Sequence, residues 1–468
     1  MDFELLNPAE ASIVKIVTQT ATIESALFMN NTGRALHVEA GDVYITNSVF
    51  TRNDGGAVDI QSSNSLINNT EFNYNSAESG GAVEVGSGAV VITRCNFTNN
   101  KAVQLGGAIS VDSGSSVSIF NCELTKNSAE ESGAIGVFSG NVSIFNSTLT
   151  NNSADSGGAI GVYSGSVSIS DSTLTNNSAY YGGGVINVNS GNVSISNSTL
   201  TNNRAYTGGA IVVYSGSVII SDSILINNRA EESGAIDVNS GSSVSISDST
   251  LTNNSANSGG AIGVSSGNVS ISDSTLSNNN AYYGGGAIDI NSGNVSISDS
   301  TLTNNSANSG GAIVVSLGSL IISDSTLTNN RANKGGVIDV SPTATLIINN
   351  TNITNNNAMV SLNILQTNVK FTGSNIVSNN NGPVYAFNSR VEFNGPTTLS
   401  NNRGVFGGAL SIIQSQMYIN TEGVIITKNT ATSGGGIFLR ESTLVVKESL
   451  KIYQNTAHQD GGGILCIF

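Results

Sequence analysis

A short unit repeats along nearly the whole sequence, at a step too small for each copy to stand alone. A Gly-Gly-Ala-apolar tetrad recurs as Gly55-Gly56-Ala57-Val58, Gly80-Gly81-Ala82-Val83, Gly106-Gly107-Ala108-Ile109 and Gly157-Gly158-Ala159-Ile160. It continues at Gly208-Gly209-Ala210-Ile211, Gly259-Gly260-Ala261-Ile262 and Gly310-Gly311-Ala312-Ile313. Upstream of the tetrads an apolar residue is followed three positions later by Asn, as in Phe50 and Asn53, Phe97 and Asn100, Leu174 and Asn177, or Leu302 and Asn305. There are 18 such Asn positions from Asn31 to Asn455; between Asn127 and Asn356 they are 25 or 26 residues apart, and toward the ends 22 to 27.

Within one unit the apolar residues alternate. Ile160 and Val162 share a face, then Val167 and Ile169, and Leu174 stands between Thr173 and Thr175. Period-2 runs bounded by Gly, Ser, Asp and Asn read as three short strands per unit, each of about 4–5 residues. Such a unit cannot bury its apolar face by itself, but stacked copies place Ile over Ile and Leu over Leu. The expected fold is all-β: a right-handed single-stranded parallel β-helix of about 18 coils of roughly 25 residues, its hand following the right-handed twist of strands. The Gly pair suits a corner that needs positive φ or close backbone approach. The recurring Asn suits a ladder of stacked side-chain amides. A lead-in or cap is expected over residues 1–25, where Ile13, Val14, Ile16 and Val17 lie, and one repeat domain over residues 26–468.

Charge narrows the partners. The chain has 17 Lys plus Arg against 32 Asp plus Glu, a formal net charge of −15, so nucleic acid and anionic membranes are not expected ligands. No run of about 18 apolar residues offers a membrane span. The two His residues, His37 and His458, lie far apart, so chemistry needing a His pair has little to work with.

The paired signatures, Gly-Gly-Ala-(Ile/Val/Leu) and Phe-x-x-Asn, resemble the repeats of polymorphic outer membrane proteins, over about Phe28 to Gly463. The resemblance implies a right-handed parallel β-helix exposed at a cell surface or outside the cell, acting in adhesion. Most central units carry Leu where that family has Phe. The family layout also includes a signal peptide and a membrane barrel. The opening Met1-Asp2-Phe3-Glu4 has no basic or apolar leader character, and the closing Gly463-Ile464-Leu465-Cys466-Ile467-Phe468 reads as the first strand of another coil. A fragment is therefore expected, or a partner edge supplied elsewhere.

Several columns are candidate sites. Asp222, Asp248, Asp273, Asp299 and Asp324 occupy one repeat position and would form a carboxylate stripe able to hold calcium, set against a solvated corner. Otherwise no cofactor, metal or catalytic residue is expected. Thr148/Thr150, Thr173/Thr175, Thr199/Thr201, Thr250/Thr252, Thr301/Thr303 and Thr326/Thr328 form an outward double column that an ice-binding face would also show, interrupted by Ile224/Ile226. Asn-x-Ser/Thr sequons such as Asn141-Val142-Ser143 and Asn268-Val269-Ser270 follow from the repeat composition. Tyr180-Tyr181 and Tyr282-Tyr283 precede Gly corners and would cap a loop or stack on sugar faces. Cys95 and Cys122 share a column on neighbouring coils and would be either a disulfide or a buried thiol pair.

Enzymes built on such solenoids place clustered acids beside Lys, Arg or His, at positions that differ from coil to coil. Here the same residues recur, so the expectation is a non-catalytic protein. The functional reading is adhesin-like: a repetitive polar face binding cell-surface or matrix ligands, protein or glycan, by avidity. A polysaccharide lyase or hydrolase is the main alternative, and an ice-binding solenoid the third.

Overall fold

The computed structural model describes residues 12–17, 20–61 and 63–467. Every regular element among them is a strand, and the strands wind a right-handed parallel β-helix of about 18 turns, as the repeat predicts. Two compact units result, residues 1–231 with 235–243 and residues 232–234 with 244–468.

In the first unit each coil contributes one strand to each of three parallel sheets. The coil starting at Ile160 places Ile160–Val162 in sheet 1, Ser166–Ser170 in sheet 2 and Thr173–Thr175 in sheet 3. Register is exact in residue number: Ile160 pairs with Ile135 and Ile186, Val167 with Val142 and Val193, and Leu174 with Leu149 and Leu200. All nine are buried. Toward the N-terminus Phe replaces Leu, and Phe28, Phe50, Phe72 and Phe97 stack with ring centroids 4.6, 5.2 and 4.7 Å apart. The strands Val14–Ile16 and Ala21–Glu24 pair in parallel with Leu36–Val38 and Val43–Thr46. Residues 1–11 of the expected lead-in lie outside the described residues.

The second unit repeats the scheme. Ile262, Ile288 and Ile313 stack in sheet 1, Val269, Val295 and Leu320 in sheet 2, and Leu251, Leu276 and Leu302 in sheet 3.

The recurring polar positions close the corners. Asn152 Oδ1 accepts the amide N–H of Asn127 at 2.9 Å and its Nδ2 at 3.1 Å. Asn152 Nδ2 in turn donates to the Leu124 carbonyl at 2.9 Å. The same bonds recur from coil to coil within each unit, so the buried Asn of this ladder are satisfied by their neighbours. A second ladder runs through Ser147 and Ser172, whose hydroxyls accept the amide one coil earlier. Cys95 and Cys122 occupy this Ser column; both are free thiols, and the Cys95 amide donates to Cys122 Sγ at 3.3 Å. Of the Gly pair, the first adopts positive φ (64° at Gly157), and a Cβ on the second would collide with the carbonyl of the next coil's Gly, as Gly158 does with Gly184.

One feature lies beyond the expected three strands. Between the Asn corner and the Gly pair, short parallel strands such as Ser153–Ser156 and Ser178–Gly182 form a fourth, discontinuous sheet. It raises a wall beside sheet 1.

Candidate functional site

The middle residue of each sheet 1 strand points away from the core, yet most of these residues are buried. In the first unit this outward file runs Lys15, His37, Asp59, Glu84, Ser110, Gly136, Gly161, Asn187, in register from strand to strand. Ser110 and Asn187 are only 1% and 5% exposed. They lie at the floor of a groove. One margin is the discontinuous fourth sheet, and the other is the turn that follows each sheet 1 strand. Over Glu84 and Ser110 the groove opens into a hollow of about 470 Å³, lined also by Ser79, Gln104, Asp112 and Phe138.

The file is not repetitive at its N-terminal end. Asp59 Oδ2 lies 2.7 Å from His37 Nδ1 and 2.5 Å from Arg34 Nη1, and Gln61 Nε2 donates to Asp59 Oδ1 at 2.5 Å. Arg34 Nη2 reaches onward to Glu84 Oε2 at 2.6 Å. Burial alone would push Asp59 up, but the His37 hydrogen bond, the Arg34 guanidinium and the Gln61 amide outweigh it and hold the carboxyl below the usual aspartate range. Glu84 goes the other way: burial raises it, Arg34 opposes, and Asp59 and Asp112 add repulsion. Asp112 is raised by burial and by Asp59. One guanidinium thus joins two carboxylates, Asp59 and Glu84, beside the hollow that Glu84 and Asp112 line, which is the coil-to-coil variation that a preorganised site requires.

Aromatic side chains follow along the same groove. Tyr180 and Tyr181, in Ser178–Gly182, are 71% and 57% exposed and meet edge to face at 4.7 Å. They do not fold over the core. On the opposite margin stand Phe138, Tyr163 and Tyr214, with Phe138 and Tyr163 6.1 Å apart. The Tyr214 hydroxyl and Asn187 Oδ1 both lie beside Gly182, where an added Cβ would sit 3.2 and 3.8 Å from them. Burial, reinforced by Asp237, raises the Tyr214 phenol above its ordinary range.

In the second unit, Asp289 and Asp339 occupy the outward file of sheet 1, separated by Val314. Burial pushes Asp289 up to about 6, opposed by the Ser258 hydroxyl. Asp339 accepts the amides of Gly310 at 2.9 Å and Gly336 at 2.6 Å; burial nevertheless raises it. Tyr282 and Tyr283 repeat the exposed edge-to-face pair at 4.8 Å.

The expected carboxylate column sits elsewhere. Asp222 in the first unit and Asp248, Asp273, Asp299 and Asp324 in the second are exposed at the corner between sheets 2 and 3, each with φ of 49° or 50°. Asn and Asp are the side chains that tolerate this left-handed conformation, so the backbone explains the column. Among the described residues no three His, Cys, Asp or Glu side chains converge on a metal position. The Thr pairs face outward on sheet 3, in register from Thr148 to Thr199 in the first unit and from Thr250 to Thr326 in the second.

The ionisable group at Arg34, His37, Asp59, Glu84 and Asp112 was not singled out by sequence reasoning. Arg34 and His37 are three residues apart, but the steps from His37 to Asp59, Glu84 and Asp112 are 22, 25 and 28 residues, and His37, Asp59 and Glu84 fall on one repeat position. Aligning the coils on their inward Ile and Val and reading the outward position between them would have exposed it.

Comparison with known proteins places the fold. A solved structure of a PL6 family alginate lyase, AlyGC, is similar to the chain with 9% identity and a TM-score of 0.25, covering 96% of each chain. The expectation of a non-catalytic protein is corrected here. That expectation rested on strict repetition of the same residues from coil to coil, and the premise fails at the Arg34–Asp59–Glu84 network. At this level of likeness neither substrate nor residue roles carry over. No curated protein matches the sequence. The family model described as right handed beta helix region matches residues 5–141 and 107–276, more than half of the sequence. With its parallel coils and in-register core, the chain belongs to the right handed beta helix family.

Proposed function

We propose that the chain is an adhesin-like binding solenoid of the cell surface or extracellular space that takes a carbohydrate chain along the groove over sheet 1. The observation that carries this reading is the exposed Tyr180–Tyr181 pair on the groove margin, opposite Phe138, Tyr163 and Tyr214. Rigid aromatic faces beside a floor of Ser, Gly and Asn offer stacking surfaces and hydrogen bonds together, the composition that polar ring-shaped ligands require. The Gly-Gly-Ala and Phe-x-x-Asn signatures, which resemble polymorphic outer membrane protein repeats, support adhesion as the role. Repetition of the exposed Tyr pair at Tyr282–Tyr283 supports multivalent contact.

Affinity electrophoresis through gels cast with a panel of neutral, acidic and amino polysaccharides tests it. At least one polysaccharide is expected to retard the protein, and the Tyr180→Ala/Tyr181→Ala variant is expected to lose most of that retardation. No retardation by any polysaccharide, or retardation indifferent to the Tyr pair, overturns the reading.

A second reading, cleavage of the bound chain, is favoured by one observation: the His37–Asp59 pair, backed by Arg34, opens onto the same groove. Asp59 fixes His37 Nδ1, leaving Nε2 as the proton acceptor a general base would use. Release of reducing ends or unsaturated sugar from a retained polysaccharide, lost in His37→Gln, is the expected signature.

A further inference from the structure

We infer that the carbohydrate taken by the first unit is an amino-sugar polymer carrying free ammonium groups, and that the hollow over Glu84 and Ser110 is the subsite that reads this charge. The inference rests on the carbohydrate reading and narrows its ligand class.

The hollow of about 470 Å³ is lined by two carboxylates, Glu84 and Asp112, and by no basic side chain. Arg34, the nearest guanidinium, is already engaged with Asp59 and Glu84. Asp112 makes no ion pair or side-chain hydrogen bond among the described residues. Burial outweighs the Arg34 pairing at Glu84 and meets no opposing charge at Asp112, and an entering cation relieves both by Coulomb attraction in a partly water-excluded site. Phe138, 54% exposed, stands at the rim with its ring available to a cation. Ser79, Ser110 and Gln104 supply hydroxyl and amide partners for sugar hydroxyls.

A second observation lies further along the same floor. Ser132 Oγ and Asn187 Oδ1 are buried without any hydrogen-bond partner. Both border Gly161: Ser132 Oγ occupies the space a Cβ there would need, and Asn187 pairs with Gly161 in register. Orphaned buried polar atoms of this kind are rare in folded proteins and mark places where a partner is missing. Glu84, Asp112 and Asn187 Oδ1 all accept, so the ligand that completes the groove is rich in donors. Ammonium and hydroxyl groups provide them. A uronate or sulfated chain would bring acceptors against acceptors and anions against a protein of net charge −15.

The test compares a glucosamine oligosaccharide, its N-acetylated counterpart and polygalacturonate by calorimetry or affinity electrophoresis. The protein is used as the wild type, Asp112→Asn, and Asp299→Asn, which removes the same charge at an exposed corner of the second unit. The glucosamine oligomer is expected to bind the wild type at least tenfold more tightly than the acetylated one. Asp112→Asn should remove most of that preference without weakening the acetylated oligomer, and Asp299→Asn should change neither. Equal binding of the charged and acetylated oligomers, tighter binding of polygalacturonate, or equal losses in the two variants overturns the inference while leaving the carbohydrate reading intact. Failure of every oligomer and polymer to bind the wild type sinks both.

Discussion

His37 Nδ1 lies 2.7 Å from Asp59 Oδ2 on adjacent strands of sheet 1, and the same oxygen receives Arg34 at 2.5 Å. One carboxylate, 4% exposed, therefore holds a guanidinium and an imidazole from a neighbouring coil. An aligned ion pair in a buried file is an exacting arrangement, because each partner left alone retains its desolvation penalty.

Asp59→Ala is expected to destabilise the N-terminal coils by about 3 kcal/mol, the usual cost of removing one member of a buried pair. The folded-state carboxyl is held below its ordinary range, so its stabilisation is present above the unfolded aspartate pKa and is lost as pH falls through the folded value. Hydrogen exchange in Leu36–Val38 and Val58–Ile60 should therefore accelerate on acidification in the wild type, with a weaker pH response in the variant. Unchanged exchange near neutral pH would show that the pair contributes nothing.

Asn279 occupies a middle rung of the buried ladder in the second unit. Its Oδ1 accepts the Asn254 amide at 3.0 Å, and its Nδ2 donates to the Leu251 carbonyl at 3.0 Å and to Asn305 Oδ1 at 3.0 Å. Asn279→Ala removes both roles and leaves buried groups short of partners, each worth roughly 1–3 kcal/mol. The expected outcome is a lower unfolding midpoint, with faster exchange of the Asn254 amide. Asn279→Asp, which lacks the donor, should fall between the wild type and Ala near neutral pH.

The coil, its core and its ladders were legible because each rests on a local pattern printed many times over. Ile over Ile and Asn over Asn follow from period-2 alternation and a constant step. What escaped either happens once or leaves no apolar pattern in the sequence. The fourth run of strands, Ser153–Ser156 beside Ser178–Gly182, has no apolar alternation to announce it. The ionic network was hidden because Arg34, His37, Asp59, Glu84 and Asp112 become neighbours only when coils are stacked in register. The Asp column was visible, but its cause was not: a φ near 50° at Asp273 or Asp299 is a backbone requirement that no spacing rule exposes.

That cause makes a prediction. In the second unit, Asp273→Asn with Asp299→Asn keeps side chains that tolerate the left-handed corner and relieves like-charge repulsion between coils, which is about 1 kcal/mol or less at strand spacing. The double variant should unfold at a slightly higher temperature in low salt, with the gain screened away in high salt. Asp273→Val should lose about 1–2 kcal/mol through backbone strain. Calcium should leave the wild-type midpoint where it is. A calcium-dependent rise that the double Asn variant abolishes would instead identify the column as a cation stripe.

Asp289 offers the opposite pH signature to Asp59. It stands in the outward file of sheet 1 in the second unit, between Gly263 and Val314, and burial pushes it up to about 6 against the pull of the Ser258 hydroxyl. Below the ordinary value of 3.8 the carboxyl is neutral in both folded and unfolded chains and carries no penalty. Between that value and about 6 the unfolded chain ionises while the folded one resists, so stability falls as pH rises, and above it the full penalty of about 3 kcal/mol applies. Asp289→Asn removes the ionisation and keeps an oxygen for Ser258. The variant should therefore be more stable than the wild type near neutral pH and indistinguishable from it in strong acid. Denaturant midpoints measured across that range decide it, and parallel curves for wild type and Asp289→Asn would mean that the carboxylate is solvated after all.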